Sequence, residues 1–296
     1  MTSLRTYQRA RLWFPVSSFW FNRKLETGHS KLPGKIVAEQ DIRLPKTRKL
    51  DKPSTLHAGM RTDITGKPIK NVILLSLPDR EFNLLRPYLE YVDLPHHRIL
   101  HEAGERIEFA HFLNQGLASL VVITSDGRSV EVAVVGKEGM VGTPLAVGLD
   151  RGPYRAIMQI SGEGLRLKSD VLMETLLSAP ELRVILSRYV LIQGLQVAQI
   201  AACNRLHEIE QRLARWLLMC QDRVDSDLLP VTHEFLAQML GTGRPSVSLA
   251  AGVLQRAGTI ENVRGSVKIL NRKDLEDAAC ECYRVMQHFH EGMASR

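Results

Sequence analysis

Residues 231–270 read VTHEFLAQMLGTGRPSVSLAAGVLQRAGTIENVRGSVKIL, and the rest of the chain is interpreted around them. This segment predicts a helix capped by Thr232, a tight Gly-Thr-Gly turn that ends at Gly243, and a second helix with Pro245 in its first turn. Gly258 then ends the second helix, and two alternating runs around Gly265 predict a hairpin. Helix, turn, helix and hairpin in this order form a winged helix-turn-helix, whose second helix enters the DNA major groove.

The second helix is predicted to have two different faces. Its inner face carries small and apolar residues at helical spacing, which permits close packing: Val247, Ala250, Ala251 and Leu254. The opposite face, with the turn before it and the hairpin after it, provides the candidate DNA contacts. These are Thr242, Arg244, Pro245, Ser246, Ser248, Leu249, Gly252, Arg256, Arg264 and Lys268.

Arg244 is the candidate base reader, because a guanidinium can pair in a bidentate way with guanine O6 and N7, worth about 1–3 kcal/mol of discrimination. Thr242 and Ser246 lie beside the positive helix end, where hydroxyls and backbone N–H groups hold phosphate. Two helices joined by glycine also occur in proteins that bind no DNA. The hairpin and a local excess of six Lys/Arg over two Glu in residues 231–273 favour the DNA interpretation.

The composition is that of a globular protein: 296 residues, 44% hydrophobic and 24% charged. The longest apolar run, residues 117–123, is strand-sized, so we expect no membrane span and no membrane partner. All four cysteines lie at or after Cys203, and they match neither a disulfide framework nor a zinc spacing, because one residue separates Cys280 from Cys282. We therefore expect a reduced, cytoplasmic protein without a metal or cofactor.

The net charge of +7 comes from the N-terminal part of the chain. Residues 1–70 hold 15 Lys/Arg and 5 Asp/Glu, whereas the remainder holds 24 and 27. Because prolines are scattered there and no period persists, we predict a basic, disordered extension over residues 1–70. A translation start at Met60 is an alternative, since the regular pattern begins near Asn71.

Residues 71–168 predict a β-roll or sandwich, with one short helix at residues 79–89 and regularly spaced short strands. The strands are predicted at 91–94, 98–101, 106–113, 117–125, 129–135, 156–161 and 164–167. Five neighbouring polar residues invite a metal interpretation, but their spacing is not that of a cupin, so we expect surface histidines instead. They are His96, His97, His101, Glu102 and His111.

Residues 169–226 predict helices, including a long one after Pro180. Apolar residues recur there at intervals of three and four, which is typical of a coiled-coil seam. They are Leu191, Leu195, Ala198, Ala202, Leu206, Ile209, Leu213 and Trp216. We predict a homodimer through this seam, and packing of the helix on its own roll is the alternative.

A β-roll, a long helix and a winged helix-turn-helix in this order resemble the cyclic-AMP receptor protein and fumarate-nitrate regulator (CRP/FNR) family of bacterial transcription factors. The resemblance covers about residues 71–283. The segments GKEGMVG, CNRLHEIEQRLARWLL, LAQMLGTGRPSVS and CECY are similar to those of a proteobacterial subgroup.

The resemblance implies an α+β fold with a cyclic-nucleotide-binding-like β-roll (71–168), a linker and dimerisation helix (169–226) and a winged helix-turn-helix (227–296). It further implies a homodimer on pseudo-palindromic double-stranded DNA, with RNA polymerase as a candidate partner and no enzyme activity. The alternative is an effector-binding or catalytic β-roll protein whose C-terminal helices mediate protein interaction.

The chain departs from the family at several positions. Of the recognition pattern Arg-Glu-x-x-x-Arg only Arg244 remains, because Pro245 and Leu249 occupy the other two places. Where the family binds a cyclic nucleotide with Gly-Glu and with Arg before Ser or Thr, this chain has Gly-Thr ending at Thr143 and Gly-Pro ending at Pro153. We therefore expect no usual cyclic-nucleotide site, although Arg151 or Arg155 could replace the missing arginine. No cysteine precedes Cys203, which argues against an N-terminal iron–sulfur cluster.

Overall fold

The computed structural model describes the backbone of residues 61–294 and the side chains of residues 61–290. Most of the predicted disordered extension, and the alternative start at Met60, lie outside this range. Its last part, residues 61–70, is ordered, which corrects the prediction there: Asp63 accepts hydrogen bonds from the backbone N–H groups of Thr65 and Lys67. Arg61 also donates to the carbonyl oxygens of Leu74 and Leu77.

The roll contains five antiparallel strands preceded by two short helices. The helices are α1 (Val72–Ser76) and α2 (Asp79–Leu85), and the strands are β1 (Glu90–Leu94), β2 (Ile99–His101), β3 (Phe109–Ile123), β4 (Ser129–Val135) and β5 (Arg155–Lys168). The sheet order is β1-β5-β3-β4, and β2 also pairs with β5. A 3-10 turn, Arg86–Tyr88, follows α2, and another, Thr143–Val147, lies between β4 and β5.

Two pairs of predicted short strands are single long strands in the structure, namely β3 and β5. The glycines that were expected to separate them lie opposite each other in the β3–β5 pairing, where the register shifts. A Cβ atom on Gly162 would lie 2.0 Å from the carbonyl oxygen of Gln115, and one on Gly116 would lie 2.8 Å from that of Ile160. The glycines therefore permit a close bulged crossing of two strands, not a chain reversal.

The predicted long helix is broken into two, which shortens the predicted seam. Three helices follow the roll: α3 (Ser169–Ser178), α4 (Pro180–Leu206) and α5 (Ile209–Val224). His207, directly after α4, has an extended backbone. A capping box between Glu208 and Gln211 then starts α5. Leu213 and Trp216 are buried in the core around α5. The exposed seam therefore ends at Leu206.

One face of α4 is apolar and exposed. Leu191, Leu195 and Leu206 are 65%, 37% and 73% exposed, and Ala198 and Ala202 are exposed as well. Contrary to the sequence expectation, α4 is long and apolar enough to span a membrane by length and composition, with a mean hydropathy of 1.3. The core helix of a soluble protein passes the same criterion.

The C-terminal elements follow α5 directly. They are β6 (Leu228–Leu229), α6 (His233–Met239), α7 (Arg244–Arg256), β7 (Ile260–Val263), β8 (Ser266–Ile269), α8 (Arg272–Ala278) and α9 (Cys282–Ala294). Strands β7 and β8 are the predicted hairpin, and β6 adds a third strand on the other side of β8. Core residues of α5 and α6 form one cluster with Leu117, Val121 and Val134 of the roll. The proposed domain boundaries at residues 168 and 226 remain predictions.

Candidate nucleic-acid interface

Helix α6 and the turn after it form as the sequence predicts. The Thr232 hydroxyl accepts a hydrogen bond from the Phe235 N–H at 3.2 Å, which caps α6. Gly241 has φ +59°, a conformation that favours glycine. A Cβ atom at Gly241 would lie 3.1 Å from Cγ2 of Val130, so the β3–β4 hairpin of the roll lies against this turn.

Helix α7 has the two predicted faces. Its inner residues Val247, Ala250, Ala251 and Leu254 are all buried. On the outer face Arg244, Pro245, Ser248, Leu249 and Arg256 are exposed, and Thr242, Ser246 and Gly252 are half-buried. Leu249 is 72% exposed, so its side chain is free to make apolar contacts. The candidate contact residues of α7 thus lie on one surface, and their contact with DNA stays a prediction.

His233, which no sequence pattern marks as a site residue, connects α7 to the wing by hydrogen bonds. Its Nδ1 lies 3.1 Å from Oγ of Ser248, and its Nε2 lies 3.0 Å from Oδ1 of Asn262 on the wing. Asn262 donates in turn to Gln255 at 2.8 Å. In the neutral histidine tautomer that donates from Nε2, the Ser248 hydroxyl donates to Nδ1. In that tautomer the Ser248 hydroxyl proton is engaged, and Ser248 presents its oxygen lone pairs to DNA as hydrogen-bond acceptors.

The wing carries the two remaining predicted cations. Arg264 is exposed at the hairpin turn, beside Gly265 with φ +75°. Lys268 is exposed on β8, directly opposite Glu261 on β7, so that its charge is partly balanced. A cleft of about 320 Å³ separates the wing from the first turns of α6 and α7, and Arg244 lines it.

A larger cleft of about 820 Å³ lies between the β3–β4 hairpin and the turn before α7. Three arginines line it: Arg128 from the hairpin, Arg212 from α5 and Arg244. Arg128 is paired with Asp126 at 2.7 Å, whereas Arg212 donates to the carbonyl oxygen of Leu240. No local sequence signal marks Arg128 or Arg212 as interface residues, because they come from elements distant in the chain from residues 231–270.

The roll positions that correspond to a cyclic-nucleotide site are engaged in other contacts. The buried Thr143 hydroxyl donates to Oε1 of Gln193 on α4 at 2.6 Å. Arg155 pairs with Glu102 at 2.8 Å. The Arg151 guanidinium donates to the carbonyl oxygen of Gly104 at 2.8 Å. Both arginines that could replace the missing one are therefore already hydrogen-bonded within the roll.

The cysteines do not behave as their spacing predicted. The fold brings Cys203, Cys280 and Cys282 together with His207, and one potential ligand atom from each lies within 4.8 Å of all the others. Chain segments more than seventy residues apart meet here, which no local spacing rule detects. Cys220, the fourth cysteine, is buried on α5 outside this group.

In the roll, the candidate surface histidines divide into two kinds. His101 and His111 are buried, which corrects the expectation of surface positions for these two. Burial, together with the charges of Arg98 and Arg166, lowers the pKa of His111 to about 3. His96 and His97 are exposed, with ring centroids 3.8 Å apart and ring planes tilted by 40°.

Comparison with known proteins relates this geometry to a family. Residues 211–278 match the family model of the Crp-like helix-turn-helix domain. A crp/fnr-family transcriptional regulator from Eubacterium rectale shares 15% identity with a TM-score of 0.56, over 68% of this chain and 94% of that one.

Two further solved structures have a similar fold. The c-di-GMP responsive global regulator CLP of Xanthomonas campestris shares 15% identity with a TM-score of 0.55, over 65% of this chain and 99% of that one. A CRP-family transcriptional regulator from Thermus thermophilus shares 24% identity with a TM-score of 0.53, over 64% and 96%. No curated protein matches the chain. These matches confirm the α+β fold class and the resemblance stated from the sequence.

Proposed function

Because residues 211–278 form a Crp-like helix-turn-helix domain in a chain with the fold of the CRP/FNR regulators, we propose that this protein is a homodimeric, DNA-binding transcription regulator. It reads a pseudo-palindromic duplex with α7, works in the cytoplasm and is not an enzyme. RNA polymerase is a candidate partner on the resemblance alone.

The exposed outer face of α7 is the observation that carries the proposal. Arg244 is the first residue of the helix and is exposed, so its guanidinium can reach a base edge while the backbone N–H groups of the first turn approach phosphate. Leu249, one and a half turns later, can contact a thymine methyl group. Arg256 and Arg264 flank this face as phosphate contacts.

The apolar face of α4 supports the homodimer. Leu191, Leu195, Ala198, Ala202 and Leu206 recur at intervals of three and four residues and are exposed in the single chain. A second copy related by a two-fold axis can cover this face with the same residues. Two recognition helices held in this way require half-sites about one helical turn, roughly 34–36 Å, apart.

The contacts of the roll support a regulator that does not use the usual cyclic-nucleotide site. An anionic phosphate in a partly buried pocket needs a charge-assisted partner, or its desolvation is not compensated. Thr143 stands where the family has its carboxylate, and it is bonded to Gln193 of α4. Calorimetric titration with cyclic AMP and cyclic GMP should therefore show no saturable binding, and micromolar binding that tightens DNA binding would overturn this part.

The DNA-binding proposal is tested with three variants on duplexes selected from a random library. Arg244→Ala should weaken binding to the selected site by about 1–3 kcal/mol, roughly 5- to 150-fold, and relax specificity at one base pair per half-site. Arg244→Lys keeps the charge but loses the bidentate fork, so it should lose specificity while keeping most of the salt-dependent binding.

Arg80→Ala removes an exposed arginine of α2, far along the chain from the interface, and serves as the matched control. If Arg244→Ala binds the selected sites as tightly and as selectively as Arg80→Ala, the base-reading role is wrong. If the parent protein shows no salt-dependent affinity for any duplex, the DNA-binding proposal is wrong. The alternative is then an effector-binding or catalytic β-roll protein whose C-terminal helices mediate protein interaction.

A further inference from the structure

Four potential metal ligands meet where α4 ends and α9 begins. Sγ of Cys203 lies 3.4 Å from Sγ of Cys280, and Sγ of Cys282 lies 3.4 Å from Nδ1 of His207. All four donor atoms lie within 4.8 Å of one another. A tetrahedral zinc ion with Zn–S bonds of about 2.3 Å and a Zn–N bond of about 2.0 Å separates its ligand atoms by roughly 3.5–3.8 Å. The two distances of 3.4 Å are therefore close to the edge lengths of such a tetrahedron.

The surroundings of these four residues are those of bound metal ligands. The carboxylate of Glu281 lies 3.1 Å from Nε2 of His207, so a hydrogen bond there leaves the lone pair on Nδ1, which faces the sulfur atoms. The side-chain amide of Gln199 donates to Sγ of Cys282 at 3.1 Å. The first contact favours the imidazole tautomer with a free lone pair on Nδ1, and the second supplies a hydrogen-bond donor to a cysteine sulfur.

The charge balance also points to an anionic centre. Arg215 is 2% exposed, its Nη1 donates only weakly, to the sulfur of Met219 at 3.5 Å, and its Nε has no hydrogen-bond partner among the described residues. The buried Nε of Arg212 is likewise without a partner within the described chain. Arg215 and Arg212 both interact electrostatically with Cys203. Zn²⁺ with three thiolates and one neutral imidazole carries a net charge of −1, which would compensate a buried guanidinium.

We propose that Cys203, His207, Cys280 and Cys282 bind one Zn²⁺ ion in a closed, structural Cys3His site. Thiolate and imidazole donors select zinc or iron–sulfur clusters. In a cluster the ligands are divided among several irons and lie further apart than these do, so the short spacing favours a single ion. The three cysteines are buried and supply no open position for a substrate.

The proposed zinc site connects the break between α4 and α5 to the start of α9. Cys203 lies in the last turn of α4, His207 is the residue at which the helix breaks, and Cys280 and Cys282 precede or begin α9. One ion therefore holds the end of the proposed dimer helix, the break itself and the C-terminal helix in a fixed relation.

Metal analysis of the full chain, purified under reducing conditions without chelator, is the first test. We expect about one equivalent of zinc per chain. Replacement by Co²⁺ should give thiolate-to-cobalt charge-transfer absorption and the intense d–d bands of a tetrahedral site. Chelation of zinc from the parent protein should lower its midpoint of thermal unfolding, which tests the site without any substitution.

Variants then assign the ligands. His207→Ala and Cys282→Ser should each lose the zinc, whereas His207→Cys restores a donor and should retain it with a shifted cobalt spectrum. Cys220→Ser changes a buried cysteine outside the group and should keep full zinc content. DNA binding is not part of the readout, so this test stands apart from the proposed function.

Three results would overturn the proposal. The first is a metal-free parent protein that also fails to take up Co²⁺. The second is iron with acid-labile sulfide, which would mean a cluster. The third is a disulfide between Cys203 and Cys280 in metal-free protein, which would make the group a redox pair.

Discussion

The buried Glu131 offers a quantitative prediction about how the roll and α5 hold together. Glu131 lies on β4 and is 4% exposed. Its carboxyl group receives hydrogen bonds from the Ser119 hydroxyl and, at 2.7 Å, from Nε1 of Trp216 on α5. Burial raises its pKa to about 7 from an ordinary value of 4.5, and the two hydrogen bonds only partly oppose this increase.

The magnitude follows from proton linkage. Because the pKa of Glu131 is higher in the folded than in the unfolded state, the folded protein binds this proton more tightly. The contribution to stability is then fully present below pH 4.5 and is lost as the pH rises through about 7. The increase in the pKa of Glu131 from 4.5 to about 7 corresponds to about 3 kcal/mol of unfolding free energy.

The assay compares parent and Glu131→Gln, which is neutral at every pH, by denaturant unfolding between about pH 4.5 and 8. Glu131→Gln should gain about 3 kcal/mol relative to the parent as the pH rises across this range. Titrations of other groups, such as His111, are common to both proteins and cancel. A difference in unfolding free energy that stays constant with pH would refute the raised pKa. Trp216→Phe removes a donor to the carboxylate and should move the transition to higher pH.

Three further predictions concern single residues. Leu195→Asp places a charge on the exposed face of α4 and should dissociate the dimer, because the charge would be buried and unpaired in both copies; an unchanged dimer in sedimentation would show that this face is not the interface. Thr232→Ala removes the cap of α6 and should cost about 1 kcal/mol in unfolding free energy, measured by denaturant titration. Gly162→Ala directs a Cβ atom into the Gln115 backbone and should abolish soluble folded protein, whereas Gly243→Ala meets only ordinary contacts and should fold.

The sequence predicted the features that depend on neighbouring residues. The hydroxyl of Thr232, the glycines at 241 and 258 and the period of the inner face of α7 all act within a few residues, so helix, turn, helix and hairpin could be located closely. The order of these elements also sufficed for the fold class. Local signals determine local structure even without knowledge of tertiary contacts.

The features that the sequence did not predict depend on distant partners. Gly116 and Gly162 looked like strand ends until their mutual contact was known. The spacing of apolar residues predicts that the α4 seam continues to Trp216. The helix break is hard to predict because the capping box begins with Glu208, and Ser or Thr is more usual at that position. Cys203 and Cys280 are 77 residues apart, and only the packing of α4 on α9 brings them together.

The break between α4 and α5 sets the angle between the proposed dimer helix and α5. Helix α5 has 16 residues, which makes it about 24 Å long at 1.5 Å per residue. A difference of about 10° in the angle held at His207 would therefore displace the far end of α5 by roughly 4 Å, more than the rise of about 3.4 Å between neighbouring base pairs. In the proposed two-fold dimer both α5 helices would be displaced, so the change in the distance between the two α7 helices would be about twice as large. The half-site spacing that the proposed dimer accepts would thus depend on the angle set at residues 207–208.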